Sequence, residues 1–320
     1  MPQRGPARAE AGMTRTRTMM ASALLIAAAL TASACDQPAE KHVPRKTLGQ
    51  QELLLGLIPD QNIFLQRERY QVLGAYLSKK LGLTVNFTSL SRYGNIIEHF
   101  SSEKMDGAFF GSFTYCLARK QLGVELIARP VNPDGTSTYY GYIFARRSSG
   151  IRDFADMKGK RFAFVEQATT AGYLFPISYF REHGISDPRS YLGQSFFTGS
   201  HDAAVHAVMR GEADIGAAKN TSYDRLVQED PRMGKDISII AASEPVPQNS
   251  LAVRKDLDPE LKAAVSRVLL EMDSDPEGIE ALKKFGARGF VATTDSDYAY
   301  VYALAVQVGI DLKVYNYRNR

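Results

Sequence analysis

Phe164, Val165, Glu166, Gln167, Ala168, Thr169, Thr170, Ala171, Gly172, Tyr173, Leu174, Phe175 and Pro176 read in turn as a strand end, a polar turn and the start of a helix. At such a turn the first N–H groups of the helix have no partner inside it, and the positive end of the helix dipole points outward. Thr169 and Thr170 add hydroxyl donors, so the turn suits a tetrahedral oxyanion. Gly172 lets the backbone approach a neighbour closely. An ordinary Thr-capped helix fits the same residues, and the surrounding pattern has to decide between the two.

Outward from this segment, short apolar runs alternate with amphipathic stretches from Glu52 onward, the order expected of βα units in an α/β fold with parallel sheets. Strands are expected at 53–58, 85–88, 105–111 and 124–131, with helices at 69–81, 95–101 and from Ser112 through 120. A turn at 132–135 follows, and the strand-like run 139–146 leaves the first lobe. A second series holds strands at 161–165, 195–197 and 213–218 and helices at 172–183, 201–210 and 220–228. The run 237–242 brings the chain back to 251–253, a helix at 259–272 and a C-terminal helix after Thr294. This predicts one lobe from residues 51–138 and 245–320 and another from 139–244, with a hinge near 139–144 and 239–243 and a cleft between the lobes. Strand ends and helix N-termini facing each other across a cleft are where such sheets bind small ligands.

Thr198, Gly199, Ser200, His201 and Asp202 form a second helix start. There His201 would face the cleft and could donate to a phosphoryl oxygen, although a lone histidine is more often structural. His99, His183 and His206 have no such context. Of Tyr139, Tyr140 and Tyr142, alternate members face opposite sides of a strand, so only one side can line the cleft. Tyr298, Tyr300 and Tyr302 read as packing on a helix. No metal-ligand spacing, phosphate-loop consensus or nucleophile elbow is present, which argues against an enzyme and against a metal or other cofactor.

Arg15 and Arg17, an apolar run over 19–30 and small residues up to Cys35 have the order of a signal peptide, with a run too short for a stable membrane span. Ala32, Ser33, Ala34 and Cys35 resemble a bacterial lipobox, with Ala32 where Leu is usual, so residues 1–35 are expected to be removed and Cys35 acylated. The plainer alternative is a soluble secreted protein with an incidental Cys35. Asp36 resembles an inner-membrane retention signal, residues 36–50 read as a tether, and Met13 competes with Met1 as the start. With Cys35 lipidated, Cys116 has no intramolecular partner and reads as a buried small hydrophobe. Loss of residues 1–35 takes four arginines and one glutamate, lowering the formal charge from +4 to about +1, so no nucleic-acid footprint is implied. A monomer is the default.

Taken together, these pieces resemble the phosphate/phosphite/phosphonate-binding proteins of ABC transporters over nearly the whole mature chain. The matching stretches are 139–144, 157–161, 169–176, 199–202, 211–216 and 243–247. The resemblance implies a two-lobed periplasmic-binding-protein fold of type II, each lobe a mainly parallel sheet flanked by helices, with two hinge crossings. It implies that Thr169, Thr170 and Ala171 grip the phosphoryl oxygens, that His201 joins them, and that Tyr93 and Tyr139 close the pocket, with Ser112 a lesser candidate. Ala171 stands where some relatives have Ser, so one hydroxyl is missing while its N–H remains. Aminoalkylphosphonate binders place acids near the positions of Lys219, Asn220, Thr221 and Asn249, so this chain is expected to bind aminoalkylphosphonates poorly and to attract extra negative charge through Lys219. The bland alternative is a Lys219 that points to solvent. The implied function is that of a periplasmic solute-binding protein, lipid-anchored to the inner membrane. It would capture phosphonate, phosphite or phosphate by hinge closure and pass it to an ABC permease and ATPase. The alternatives are a sensory or accessory protein read by a signalling partner, and the same fold binding an unrelated small anion.

Overall fold

Glu52–Leu57 (β1), Thr84–Ser89 (β2) and Gly107–Phe110 (β3) pair in parallel with β1 in the middle, as strands joined through helices must. The computed structural model describes residues 52–60, 62–90, 93 and 96–317; the expected signal peptide, Cys35 and the tether at 36–50 lie outside them. Ile63–Leu81 (α1), Ile96–Ser102 (α2) and Ser112–Leu122 (α3) complete the first βα units. Helix α1 starts well ahead of residue 69, where the pattern put it. The Asn62 side chain accepts the N–H groups of Phe64 and Leu65 at 3.0 and 3.3 Å and so caps an earlier turn.

Glu125–Val131 (β4) leads to Thr138–Tyr139 (β5), the first crossing. The second lobe then builds a five-stranded sheet from Gly141–Arg146 (β6), Arg161–Phe164 (β7), Gln194–Phe197 (β8), Ile215–Lys219 (β9) and Ile237–Ala242 (β10), in the order β10-β6-β9-β7-β8. Its helices are Phe175–Glu182 (α4), His201–Met209 (α5), Asn220–Glu229 (α6) and Arg232–Asp236 (α7). The chain returns through Val246–Pro247 (β11) to Ser250–Val253 (β12), Pro259–Leu270 (α8), Pro276–Phe285 (α9), Gly289–Val291 (β13) and Ala299–Gln307 (α10). Strands β12 and β13 join the first sheet, whose order is β13-β4-β12-β3-β1-β2. Each sheet thus has a parallel part made by βα units, β2-β1-β3 and β8-β7-β9. The strands beside the crossings add antiparallel pairs.

The crossings themselves form a separate antiparallel ribbon, with Tyr139 opposite Val246 and Thr138 opposite Pro247. The hinge is therefore confined to the junctions around 138–141 and 242–247. Most of the stretches read as hinge in the sequence, 139–144 and 239–243, are the paired strands β6 and β10 inside the second lobe. A two-stranded ribbon can twist without breaking either sheet, which is what lobe closure requires. At Gly141, where β6 leaves the ribbon, the backbone lies close against the turn before α4: a Cβ there would meet Phe175 Cδ1 at 2.9 Å and Ala171 Cα at 3.1 Å.

One apolar cluster runs through the joint, from Ile58, Tyr93 and Phe113 of the first lobe, through Tyr139 and Val246 of the ribbon, to Val165, Ala171 and Leu174 of the second and Val301 and Leu304 of α10. Contact among all these side chains means that the lobes are closed on each other. Cys116 is fully buried on α3 and forms no disulfide.

Candidate functional site

Strand β7 does not run straight into α4. The N–H and the hydroxyl of Thr169 both donate to Glu166 O, at 3.0 and 2.6 Å, and so close a tight turn. Thr170–Leu174 then make one turn of π-helix, whose first hydrogen bond runs from Leu174 N–H to Thr169 O at 3.0 Å. A π turn bonds one residue further back than an α-helix, so the N–H groups of Thr170, Ala171, Gly172 and Tyr173 all precede its first internal bond. Thr170 Oγ1 is buried, and among the described residues its contact with the Tyr139 hydroxyl falls short of hydrogen-bond geometry. A buried hydroxyl left unpaired costs about 1–3 kcal/mol, a cost that a guest acceptor would remove. Gly172 does permit a close approach, but to Val165 at the end of β7: a Cβ at residue 172 would fall 2.4 Å from Val165 Cβ.

Opposite this turn stands Asp60, just past the carboxyl end of β1, the position at which parallel sheets hold their sites. Its Oδ1 accepts from Tyr93 Oη at 2.7 Å and from Lys219 Nζ at 2.9 Å, and His201 Nε2 lies 3.6 Å away. Lys219 Nζ also donates to Asn249 Oδ1 at 2.7 Å and sits 4.6 Å from the centroid of the Tyr139 ring. Lys219 ends β9 in the second lobe, so its side chain crosses the cleft, and only 3 % of it is exposed. A second tie between the lobes is made by Asp202, which accepts from Asn62 N–H at 3.2 Å and from Arg225 Nη2 at 2.6 Å.

The backbone N–H of Lys219 donates to His201 Nδ1 at 3.2 Å, so the neutral ring carries its proton on Nε2, the atom nearest Asp60. Burial drags His201 down to about 3, with Asp60 pulling the other way and Lys219 pushing it lower. Burial would raise Asp60, yet Lys219, His201 and the hydrogen bonds from Lys219 and Tyr93 hold it at about 2. Burial and the neighbouring Asp60 carboxylate keep the Tyr93 phenol protonated far above its usual range, and thus a donor. Ser112 Oγ donates to Pro247 O at 2.6 Å, so at the 3.1 Å contact between the two hydroxyls Tyr139 is the donor to Ser112.

These protonation states set an acid limit on stability. The unfolded chain protonates His201 below about pH 6.5, whereas the folded chain does not until about 3, so stability falls as pH drops through that window. Asp60 adds to the loss only lower down, where its contribution disappears between 3.8 and about 2. Urea unfolding of the ligand-free protein is expected to lose about 2–3 kcal/mol between pH 7 and 4.5, at about 1.4 kcal/mol per pH unit below 6.5. His201→Asn should remove most of that slope; the same slope in both proteins would contradict the assignment.

The fold thus gathers Tyr93, Tyr139, Thr170, Ala171, His201, Lys219 and Asn249 at the joint, none more than 8 % exposed. Thr169 shapes the turn, its hydroxyl occupied by Glu166 O. Asn220 is a correction to the expected site: its side chain accepts from Tyr140 N–H at 2.7 Å and reaches Asp224 Oδ2 at 3.3 Å, which fastens β9 to the crossing instead of facing the cleft. The solvent-facing alternative for Lys219 is excluded by its burial. Asp60 was not read from the sequence as a site residue, although its place after a strand end is the signal that could have found it. Tyr298 is buried against Tyr115, ring centroids 4.3 Å apart, as packing requires. Among the described residues no group of His, Cys, Asp or Glu is arranged to hold a metal ion, and no helix is long and apolar enough to cross a membrane.

Two closed α/β lobes, a ribbon hinge and a buried cluster of hydrogen-bond donors define a solute-binding protein. Residues 55–298 match the family described as ABC transporter, phosphonate, periplasmic substrate-binding protein, and the chain belongs to that family. It is 26% identical over 297 residues to the phosphate-import protein PhnD of Mycolicibacterium smegmatis, covering 84% of this chain and 90% of that one. It is 25% identical over 235 residues to the phosphonates-binding periplasmic protein of Escherichia coli, covering 72% of this chain and 69% of that one. The structure of PhnD1 from Prochlorococcus marinus in complex with methylphosphonate shares the fold, with a TM-score of 0.73 at 20% identity over 82% of this chain and 99% of that one. Membership makes this chain an extracytoplasmic substrate-binding component of an ABC transporter and not an enzyme.

Proposed function

We propose that this protein captures a phosphorus oxyanion, a phosphonate, phosphite or phosphate, by closing its lobes around it, and delivers it to a permease and its ATPase. The observation that carries the reading is Thr170 Oγ1, buried without a well-formed hydrogen bond beside N–H groups that precede the first internal bond of its own π turn. In this reading the Thr170 hydroxyl and the N–H groups of Thr170, Ala171 and Gly172 take the phosphoryl oxygens. The Nε2–H of His201 is a further donor, Thr169 holds the turn in shape, Tyr93 closes the pocket with its hydroxyl proton given to Asp60, and Tyr139, Lys219 and Asn249 form the far wall. Because these groups are buried, exchange of ligand requires opening at the ribbon, and a ligand that bridges both lobes favours the closed state. The names of the relatives, phosphate-import, phosphonates-binding and a methylphosphonate complex, support this ligand class.

The test is a thermal-shift screen of protein freed of ligand by unfolding and refolding. It compares phosphate, phosphite, methylphosphonate, sulfate and small carboxylates. A ligand at a hundred times its Kd should stabilise the fold by about 2.7 kcal/mol, read as a rise in Tm. A rise with at least one phosphorus oxyanion is expected; no rise with any of them would contradict the reading. The same proposal places the protein on the inner membrane through a lipid on Cys35, supported by the signal-like run before it. Cys35→Ser should then release the protein into the soluble periplasmic fraction, and retention in the membrane fraction would count against the anchor.

A further inference from the structure

The surroundings of Lys219 Nζ have a chemistry of their own. A carboxylate oxygen of Asp60 lies at 2.9 Å, an amide oxygen of Asn249 at 2.7 Å, and the face of Tyr139 at 4.6 Å from its centroid. A carboxylate, a carbonyl oxygen and an aromatic face together are the complement of an alkylammonium ion. The walls are also held by contacts that do not involve the lysine. Tyr93 fixes the Asp60 carboxylate at 2.7 Å, and Tyr139 is tied to Ser112, which is itself bonded to Pro247 O. The lysine enters this cage from the other lobe, at the end of β9.

We propose that the cleft contains a built ammonium subsite which the chain fills with its own Lys219. A ligand carrying an amine beside its oxyanion is thereby excluded, and the lysine clasps the two lobes together. The exclusion rests on the oxyanion reading of the cleft, whereas the subsite does not. Lys219 therefore sets specificity by occupancy: its charge is already matched by Asp60 and does not draw additional negative charge to the ligand. An amine-bearing ligand finds the Asp60 carboxylate taken, and would have to displace a tethered cation to reach it.

The experiment uses the full chain and two variants, Lys219→Ala, which empties the cage, and Lys219→Met, which fills it without charge. Melting temperatures are measured in methylammonium chloride and in potassium chloride at equal concentration. The wild type and Lys219→Met should respond identically to the two salts, while Lys219→Ala should melt at a higher temperature in methylammonium. If Lys219→Ala fails to fold in potassium chloride, its refolding yield in the two salts becomes the readout, with methylammonium expected to recover folded protein. Lys219→Ala should also bind aminoethylphosphonate at least tenfold more tightly than the wild type does. Equal effects of the two salts on Lys219→Ala would overturn the subsite. Rescue by methylammonium without gained aminoethylphosphonate binding would overturn the exclusion. A wild type that binds no phosphorus oxyanion, alongside methylammonium rescue of Lys219→Ala, would sink the functional reading and leave the subsite in place.

Discussion

Asp60→Ala is expected to cost the folded protein about 3–5 kcal/mol, the penalty for stranding a buried ammonium without its counter-ion. Lys219 is almost fully buried and its ammonium lies 2.9 Å from the Asp60 carboxylate, so little water is at hand to replace the lost partner. Asn249 remains as an acceptor, but a neutral one. The Tyr93 hydroxyl loses its acceptor at the same time. Urea unfolding with an unchanged slope against denaturant would measure the loss cleanly. Asp60→Ala combined with Lys219→Met should recover most of it, because replacing both members of a buried pair by apolar groups is commonly neutral or stabilising. A loss under about 1 kcal/mol in the single variant would mean that the lysine simply turns to water, and that the pair is not the clasp described above.

Gly172→Ala is the second large effect, and it acts on the backbone. The new Cβ would fall 2.4 Å from both Cβ and Cγ2 of Val165 and 2.8 Å from Thr169 Oγ1, so the π turn would have to move off the end of β7. Overpacking of this kind costs about 1–3 kcal/mol, and the upper part of that range is expected here because the clash includes a Cβ next to the main chain. The displaced turn carries Thr170, so the folded fraction should also bind its oxyanion at least tenfold more weakly. Unfolding curves and calorimetric titration test the two parts separately. A Gly172→Ala protein within 0.5 kcal/mol of the wild type on the order expected for a neutral surface change would show that the turn tolerates the shift.

The two-lobed architecture was legible because it is written in local alternation: apolar strands such as β1 and β3 are bounded by amphipathic helices such as α1. The oxyanion turn was legible for the same reason, since a strand, a polar turn with two threonines and a helix are adjacent in sequence. What was missed depends on pairing through space. Asp60 and Lys219 are 159 residues apart, and neither reads as a partner of the other until the lobes close. The π turn packs through Gly172 on Val165, a contact that no periodicity announces. Helix α9 leaves little trace in the sequence because its buried stripe, Gly278, Ala281, Leu282 and Phe285, is built half from small residues and lies among exposed charges. An apolar run shows where a strand is, not where it changes partners, so the stretches that read as hinge in the sequence fall mostly inside β6 and β10.

Calorimetric titration of methylphosphonate, or of whichever phosphorus oxyanion raises Tm most, into the wild type and Thr170→Val tests the central claim most directly. Valine has nearly the shape of threonine and no hydroxyl, so it removes the unpaired buried oxygen and one donor without opening a cavity. Ligand-free Thr170→Val should be at least as stable as the wild type. Its affinity should be reduced about 10- to 100-fold, the worth of a hydrogen bond to a charged acceptor. Unchanged affinity in a folded Thr170→Val protein would mean that the oxyanion does not sit at this turn.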